Sequence, residues 1–203
     1  MKVALIGATG QAGSRLLQEL TSRGHSVTAI VRHPEKVPQL PHVVAMKGNV
    51  YDKAGLVPLL KGHDAVISSV HYLQSNPGLI LEAVRESGVK RYFVVGGAGS
   101  LEVAPGKKLV DTPEFPSAYK AEATKGGEYL DLLRKSAGDL DWTFFSPAAM
   151  FVAGERTGKF RLGKDQLLAS ENGSSISFED YAIAAVDELE TPKHIKERFT
   201  IAY

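Results

Sequence analysis

The sequence of 203 residues contains no cysteine, a single tryptophan and no long apolar run. Without cysteine, disulfide bonds and thiolate metal sites are excluded, and this composition is typical of proteins of the reducing cytosol. The apolar residues 3–6 near the N-terminus are followed at once by Gly-Ala-Thr-Gly. This run is much shorter than a secretory segment or a membrane span of about 20 residues. We therefore expect a soluble, cytoplasmic protein.

The sequence also lacks an excess of charge of one sign. Its 24 lysines and arginines are balanced by 23 aspartates and glutamates, for a net charge of +1. This balance provides neither the basic field that attracts nucleic acids nor a polybasic patch for a membrane surface. The six histidines show no metal-ligand spacing. We therefore expect a small molecule as partner, with no nucleic acid, membrane or metal, and the sequence marks no surface for a protein partner.

Short β-branched apolar segments alternate with longer amphipathic ones, a pattern typical of βαβ units and a parallel sheet. The predicted strands are residues 3–6, 27–31, 43–46, 65–70, 91–95 and 142–145, and the predicted helices are residues 11–23, 52–61, 77–87 and 117–134. A chain of this length suits one domain. We therefore predict an α/β fold of the Rossmann type, a doubly wound parallel sheet in which residues 1–203 form a single domain.

The pattern changes after Pro147, where the sequence becomes rich in glycine and charge. Two short strand-like segments, residues 159–162 and 166–169, precede a helix over residues 178–189 and a closing strand over residues 198–203. Ser177 stands directly before this helix and Asp180 follows three residues later, which is the spacing of a capping box. We expect residues 148–203 to form a small C-terminal lobe over the ligand cleft rather than a second domain.

A glycine-rich segment, Gly7-Ala8-Thr9-Gly10-Gln11-Ala12-Gly13, joins the first predicted strand to the first predicted helix. Its spacing, G-x-x-G-x-x-G, is a variant of the dinucleotide-binding fingerprint, in which backbone amides at a helix N-terminus hold a pyrophosphate. A turn that binds nothing is the alternative, but a position between strand and helix favours the nucleotide. The predicted cofactor contacts here are Gly7, Thr9, Gly10, Gln11, Ala12 and Gly13.

The residue at the end of the second strand distinguishes the two nicotinamide dinucleotides, because NAD-binding proteins usually place a carboxylate there. This chain has Arg32 at that position, and a guanidinium can pair with the 2′-phosphate of NADPH. We therefore predict NADPH, with NADH still possible, since a solvated surface arginine is the alternative. Further predicted cofactor contacts are Asn49 and Val50 beside the adenine, and Ser68, Ser69 and Val70 near the nicotinamide-side ribose, with ordinary strand-end chemistry as the alternative.

Beyond the glycine motif, three segments carry a family resemblance: residues 140–149, residues 154–158 together with 161–163, and residues 176–182. Over nearly its whole length the chain resembles the atypical short-chain dehydrogenase/reductases. Within these it resembles the NADH-flavin reductase group, relatives of biliverdin IXβ reductase and the NmrA-like proteins. The resemblance implies a nicotinamide-binding Rossmann fold and a reductase activity toward FMN, FAD or similar electron acceptors.

Short-chain dehydrogenases that act on alcohols or sugars use a tyrosine and a lysine four residues later on the same helix. The lysine lowers the pKa of the tyrosine. Tyr119 lies in the expected region, but Ala123 follows four residues later, and neither Lys120 nor Lys125 shares the helix face of the tyrosine. Hydride transfer to a flavin needs ring stacking more than a proton donor. Tyr119 and Ser100 are the catalytic candidates, and a loop serine bonded to local backbone is the alternative for Ser100.

Two more residues are candidates for contacting an acceptor. His71 follows the fourth predicted strand, and Arg156 could hold an anionic group such as the phosphate of FMN, with a structural ion pair as the alternative. The leading hypothesis is an NADPH-dependent oxidoreductase that transfers hydride to a flavin or quinone-like acceptor. The alternatives are a non-catalytic, NmrA-like sensor of the NADPH/NADP ratio and a nucleotide-sugar epimerase or dehydratase, which the missing lysine disfavours.

Overall fold

The computed structural model describes residues 1–203. Its strands are β1 (Lys2–Ile6), β2 (Ser26–Val31), β3 (Val43–Lys47), β4 (Ala65–Ser68), β5 (Arg91–Val95), β6 (Glu102–Ala104), β7 (Lys107–Lys108), β8 (Asp141–Ser146), β9 (Met150–Val152), β10 (Arg161–Gly163), β11 (Ser175–Ser177) and β12 (Glu197–Ala202). Its α-helices are α1 (Gln11–Ser22), α2 (Lys53–Leu60), α3 (Pro77–Ser87), α4 (Ser117–Ser136) and α5 (Phe178–Glu190). The strands and helices predicted before Pro147 are all confirmed, with small differences at their ends.

Eight strands form one sheet in the order β3-β2-β1-β4-β5-β8-β12-β10, in which β10 alone runs antiparallel to its neighbour. From β1 the chain proceeds outward to β3, and it then returns to β4 on the other side of β1. This reversal creates a topological switch point between β1 and β4, and ligands of such sheets bind there, at the carboxyl ends of the strands. The predicted doubly wound parallel sheet is confirmed.

Helices cover both faces of the sheet. On one face α1 packs against α5, and Leu16, Leu17 and Leu20 on one side of α1 are fully buried. Helices α2, α3 and α4 cover the other face and contribute to a second core cluster. Val3 and Leu5 of β1 belong to the core cluster on the α1 and α5 face of the sheet, and Ala4 and Ile6 belong to the cluster on the opposite face. Strand β1 is therefore apolar on both sides, as a parallel sheet between two helical layers requires.

Residues 148–203 are more closely joined to the sheet than a separate lobe would be. Strand β12 pairs with β8 in the main sheet, and α5 packs against α1. Helix α5 begins as predicted, because the Ser177 hydroxyl accepts a hydrogen bond from the Asp180 amide at 2.9 Å. The β9–β11 pair and the loops around β10 are the parts of this region that stand outside the eight-stranded sheet.

Two local features differ from the prediction. Residues 166–169 form no strand. Their backbone makes a single isolated bridge instead, between Gln166 and Glu102. The residues after β5 lead into a hairpin of β6 and β7, whose strands of three and two residues are too short to show an alternating pattern in the sequence. None of the five helices combines the length and the apolar character needed to cross a membrane.

Candidate functional site

The candidate site begins at the loop between β1 and α1, beside the switch point. Gly7 has a φ of +87°, and a Cβ on it would lie 2.1 Å from the Ser69 carbonyl oxygen. A Cβ on Gly13 would lie 2.1 Å from the Gly7 carbonyl oxygen. Both glycines are therefore required by the fold itself. A Cβ on Gly10 would meet no atom closer than 3.4 Å, so the packing of the chain gives no reason for glycine there.

Helix α1 starts at Gln11 with its first amides free. The N–H groups of Gln11, Ala12 and Gly13 donate to no acceptor within the chain, whereas the Ser14 amide donates to the Gly10 carbonyl at 2.8 Å. No side chain caps the helix, and no acidic residue stands in its first turn. These amides, together with the positive end of the helix dipole, can therefore receive the negative charge of a pyrophosphate.

A basic pocket of about 320 Å³ adjoins this loop and is lined by Ala8, Thr9, Ser14, Arg32, His33, Lys36 and Pro38. Arg32 and Lys36 are both exposed. Neither takes part in the ion pairs of the chain, in contrast to His33, which lies 3.1 Å from Glu35. Lys36, the last residue of the short 3₁₀-helix Pro34–Lys36, was not predicted from the sequence and lines the same pocket as Arg32. The pocket thus offers two unpaired cations to an anionic group.

Asn49 and Val50 lie beside the end of β2, because the Gly48 amide donates to the Val31 carbonyl at 2.9 Å. The Asn49 side chain accepts a hydrogen bond from the Tyr51 amide at 3.0 Å. Val50 is partly buried against the core cluster of α2, α3 and α4. The structure therefore brings this loop to the same edge of the sheet as Arg32, although the Asn49 side chain is already used within its own turn.

Ser69 and Val70 lie directly over the phosphate loop. The Ser69 carbonyl and the Val70 Cγ1 atom are among the atoms nearest to the position where Gly7 lacks a Cβ. Ser68 differs from them, because only 5% of it is exposed. Ser69 and Val70 are therefore placed to contact a ligand at the switch point, and the Ser68 hydroxyl belongs to the core.

The two catalytic candidates differ in accessibility. Ser100 is 8% exposed, and its hydroxyl accepts a hydrogen bond from Arg198 Nη1 at 3.2 Å. Tyr119, in the first turn of α4, is 67% exposed. Four residues later Ala123 packs against Gly99, so no lysine supports the tyrosine. Ser100 is thus held in a buried contact with Arg198, and Tyr119 stands on the surface without a partner that would activate it.

A histidine–carboxylate pair lies at the end of β4. His71 Nδ1 is 3.4 Å from Glu122 Oε1, and the His71 side chain is 76% exposed. Glu122 also accepts hydrogen bonds from the Tyr72 and Leu73 amides, at 2.7 and 2.9 Å. The sequence predicted His71 as a site residue but did not predict Glu122. The available clue was that Glu122 follows Tyr119 by three residues, on the same side of the helix. No cluster of three metal-ligating side chains occurs in the chain.

Arg156 forms the structural ion pair that was the alternative to acceptor binding. Its Nε and Nη2 atoms donate to the two carboxylate oxygens of Glu19, each at 2.9 Å. Burial opposes the ionisation of Glu19, but hydrogen bonds and charges from Arg156 and Arg23 outweigh it and hold the Glu19 pKa below its ordinary value. This pair ties the loop after β9 to α1 and occupies the Nε and Nη2 atoms of the guanidinium, which was one of two candidates for holding an acceptor.

Comparison with known proteins gives matches over nearly the whole chain. A family model described as NAD(P)H-binding matches residues 7–192. The uncharacterized protein YwnB of Bacillus subtilis is 42% identical, over 99% of this chain and 98% of its own length. A candidate epimerase from Bacteroides thetaiotaomicron has a solved structure with 46% identity and a TM-score of 0.94, covering 100% of this chain and 96% of its own. A candidate NADH-flavin reductase from Streptococcus pneumoniae has 39% identity and a TM-score of 0.81, covering 100% and 99%.

Proposed function

We propose that this chain, which belongs to the NAD(P)H-binding oxidoreductase family, is an NADPH-dependent reductase of a flavin or quinone-like small molecule. The observation that carries the proposal is the arrangement along the carboxyl edge of the sheet. The free amides of α1 stand at the switch point, the Arg32–Lys36 pocket lies on the β2 side, and the His71–Glu122 pair lies on the β4 side. A dinucleotide bound across a switch point would place its pyrophosphate at these amides, its adenosine on the β2 side and its nicotinamide on the β4 side.

The basic pocket favours NADPH over NADH. The two cofactors differ by the 2′-phosphate of the adenosine ribose, and Arg32 and Lys36 are exposed cations at the end of β2. A carboxylate at this position would repel the phosphate, whereas a guanidinium can form a charge-assisted hydrogen bond with it. Because neither cation is neutralised within the chain, both remain available to the phosphate.

The residues present fit a nicotinamide dinucleotide, which supplies a hydride when it is bound in its reduced form. The chain contributes positioning. The amides of Gln11, Ala12 and Gly13 would hold the pyrophosphate, and the backbone of Ser69 and Val70 would border the sugar next to it. The missing Tyr–Lys pair disfavours reactions at an alcohol carbon. Hydride transfer between stacked rings does not require such a pair.

The name of the Bacteroides relative suggests a second activity, that of an epimerase. Two features of this chain argue against assigning it here. Position 123, four residues after Tyr119, is an alanine packed against Gly99. Tyr119 itself is exposed on the first turn of α4, away from any lysine on its own helix face. A reductase therefore agrees better with the site.

The test combines binding with turnover. Calorimetry with NADPH and NADH measures association, and the loss of reduced nicotinamide absorbance measures turnover with FMN, FAD or a benzoquinone. We expect NADPH to bind more tightly than NADH and to be oxidised only when both the protein and an acceptor are present. Binding without turnover of any acceptor would replace the reductase with a sensor of the NADPH/NADP ratio. If neither nucleotide bound, both functions would be excluded.

A further inference from the structure

The imidazole of His71 lies just beyond the end of β4, and its Nε2 atom forms no hydrogen bond within the chain. The segment after β4 is fixed over the phosphate loop, because the Ser69 carbonyl packs against Gly7. His71 follows two residues later, and its ring turns Nδ1 toward Glu122. No group of the chain forms a hydrogen bond with His71 Nε2, and the side chain is 76% exposed. Strand β4 borders the switch point on the side opposite the Arg32 pocket, so a dinucleotide with its adenosine in that pocket would place its nicotinamide on the His71 side.

Glu122 is itself held rigidly. Its Oε1 atom accepts a hydrogen bond from the Tyr72 amide at 2.7 Å, and its Oε2 atom accepts one from the Leu73 amide at 2.9 Å. The carboxylate lies on α4, and Tyr119 lies three residues earlier on the same side of that helix. Glu122 Oε1 lies within ion-pair distance of His71 Nδ1, at 3.4 Å, so the carboxylate attracts the imidazolium and favours a ring orientation with Nδ1 toward it. The other ring nitrogen is then turned to solvent.

We propose that His71 is the proton donor of the reductase and that Glu122 is its positioning residue, so that the acceptor is a quinone or a related conjugated carbonyl compound. This inference rests on the proposed function. Hydride from NADPH adds to the quinone and leaves the hydroquinone monoanion and NADP⁺. The imidazolium form of His71 transfers its Nε2 proton to the anionic oxygen, which forms the O–H bond of the hydroquinone. The neutral ring then takes a proton from water, so the sum is NADPH, a proton and quinone giving NADP⁺ and hydroquinone.

The choice between acceptors follows from this chemistry. Hydride transfer to a free flavin delocalises the charge over the ring system, and a donor side chain adds little. A quinone oxygen develops a localised negative charge, and a positioned general acid contributes about 10²–10⁴-fold to such a step. A reductase of free flavin would not need the pair at the end of β4, and a reductase of quinones would use it.

The test compares two acceptors in one set of variants. We expect His71→Gln to lower kcat with a benzoquinone at least about tenfold, with kcat for FMN and the Kd for NADPH changed less than about twofold. Glu122→Gln should lower the quinone rate by a smaller factor and should raise the solvent deuterium isotope effect on it, because slower proton donation becomes more nearly rate-limiting. His42→Asn serves as the control, because His42 is exposed, lies before β3 and has a positive φ that asparagine tolerates.

Three results would overturn the inference and leave the reductase standing: FMN reduction by the unaltered protein without quinone reduction, an equal loss with both acceptors in His71→Gln, or no loss with either. The equal loss would assign the pair to holding the backbone of residues 71–73. The absence of any turnover by the unaltered protein would remove the reductase and the inference together.

Discussion

Gly99 and Ala123 approach each other so closely that a Cβ on Gly99 would lie 2.7 Å from the Cβ of Ala123. Ala123 is the residue four positions after Tyr119, where a lysine would be needed to activate the tyrosine. Gly99 belongs to the loop after β5, which Arg198 holds through the side chain and the carbonyl of Ser100. Ala123 is partly exposed, and the side of it that faces the loop is closed by Gly99. A lysine at position 123 would therefore start from a Cβ that already contacts the loop.

We predict that Ala123→Lys lowers the free energy of unfolding by about 1–3 kcal/mol, because the added side chain must displace the loop. The variant should gain no alcohol dehydrogenase activity. Urea unfolding measures the first effect, and Thr124→Lys is the matched control, because its position is exposed and should change stability by less than about 0.5 kcal/mol. Equal stability of the two variants would show that the loop yields and that packing does not exclude the lysine.

The second prediction concerns Gly10, whose glycine the fold does not require. We expect Gly10→Ala to weaken NADPH binding by at least about tenfold, or 1.4 kcal/mol, because the methyl group would occupy the approach of the pyrophosphate. Stability should fall by less than about 1 kcal/mol. Calorimetry and urea unfolding measure the two effects, and Gly78→Ala, in the first turn of α3, is the control. Unchanged affinity would mean that no ligand approaches this backbone.

The third prediction concerns the choice of cofactor. Arg32→Ala should weaken the binding of NADPH by about 1.5–3 kcal/mol, the value of a charged hydrogen bond, and should change the binding of NADH little. Lys36→Ala should have the same preference with a smaller effect, since an ammonium acts as a point charge. Lys61→Ala removes one exposed positive charge at the opposite edge of the sheet and controls for net charge. Equal losses for both nucleotides would show that Arg32 does not contact the 2′-phosphate.

The sequence predicted those parts of the fold that depend on short-range patterns. The β-branched runs, the glycine loop after β1 and the Ser177–Asp180 cap each lie within a few residues, and each appears where expected. The site depends more on distant residues. Glu19 and Arg156 are separated by 137 positions, and Glu122 meets the segment after β4 across 50. No local pattern encodes such pairs, because they arise when α1 meets the loop after β9 and α4 meets the end of β4.

The long-range pair at Glu19 also gives a prediction on acid stability. Its side chain is 6% exposed and is held by Arg23 and Arg156, and its pKa lies below the ordinary value of 4.5. The unfolded chain therefore binds a proton at a higher pH than the folded chain does. The contribution of this carboxylate is present above about pH 4.5 and is lost as the pH falls through the lowered pKa of the folded state.

We therefore expect Glu19→Gln to unfold more easily than the unaltered protein at pH 7, by about 1.5–3 kcal/mol, because the charged hydrogen bonds are lost. The difference should shrink as the pH falls below about 4.5, since protonation then removes the same interactions from the unaltered protein. Urea unfolding at several pH values between 3 and 7 measures this, with Glu114→Gln, at an exposed position without an ion pair, as the control. A difference that stayed constant over the whole range would assign the effect to packing around the side chain, because only the charge of Glu19 changes with pH.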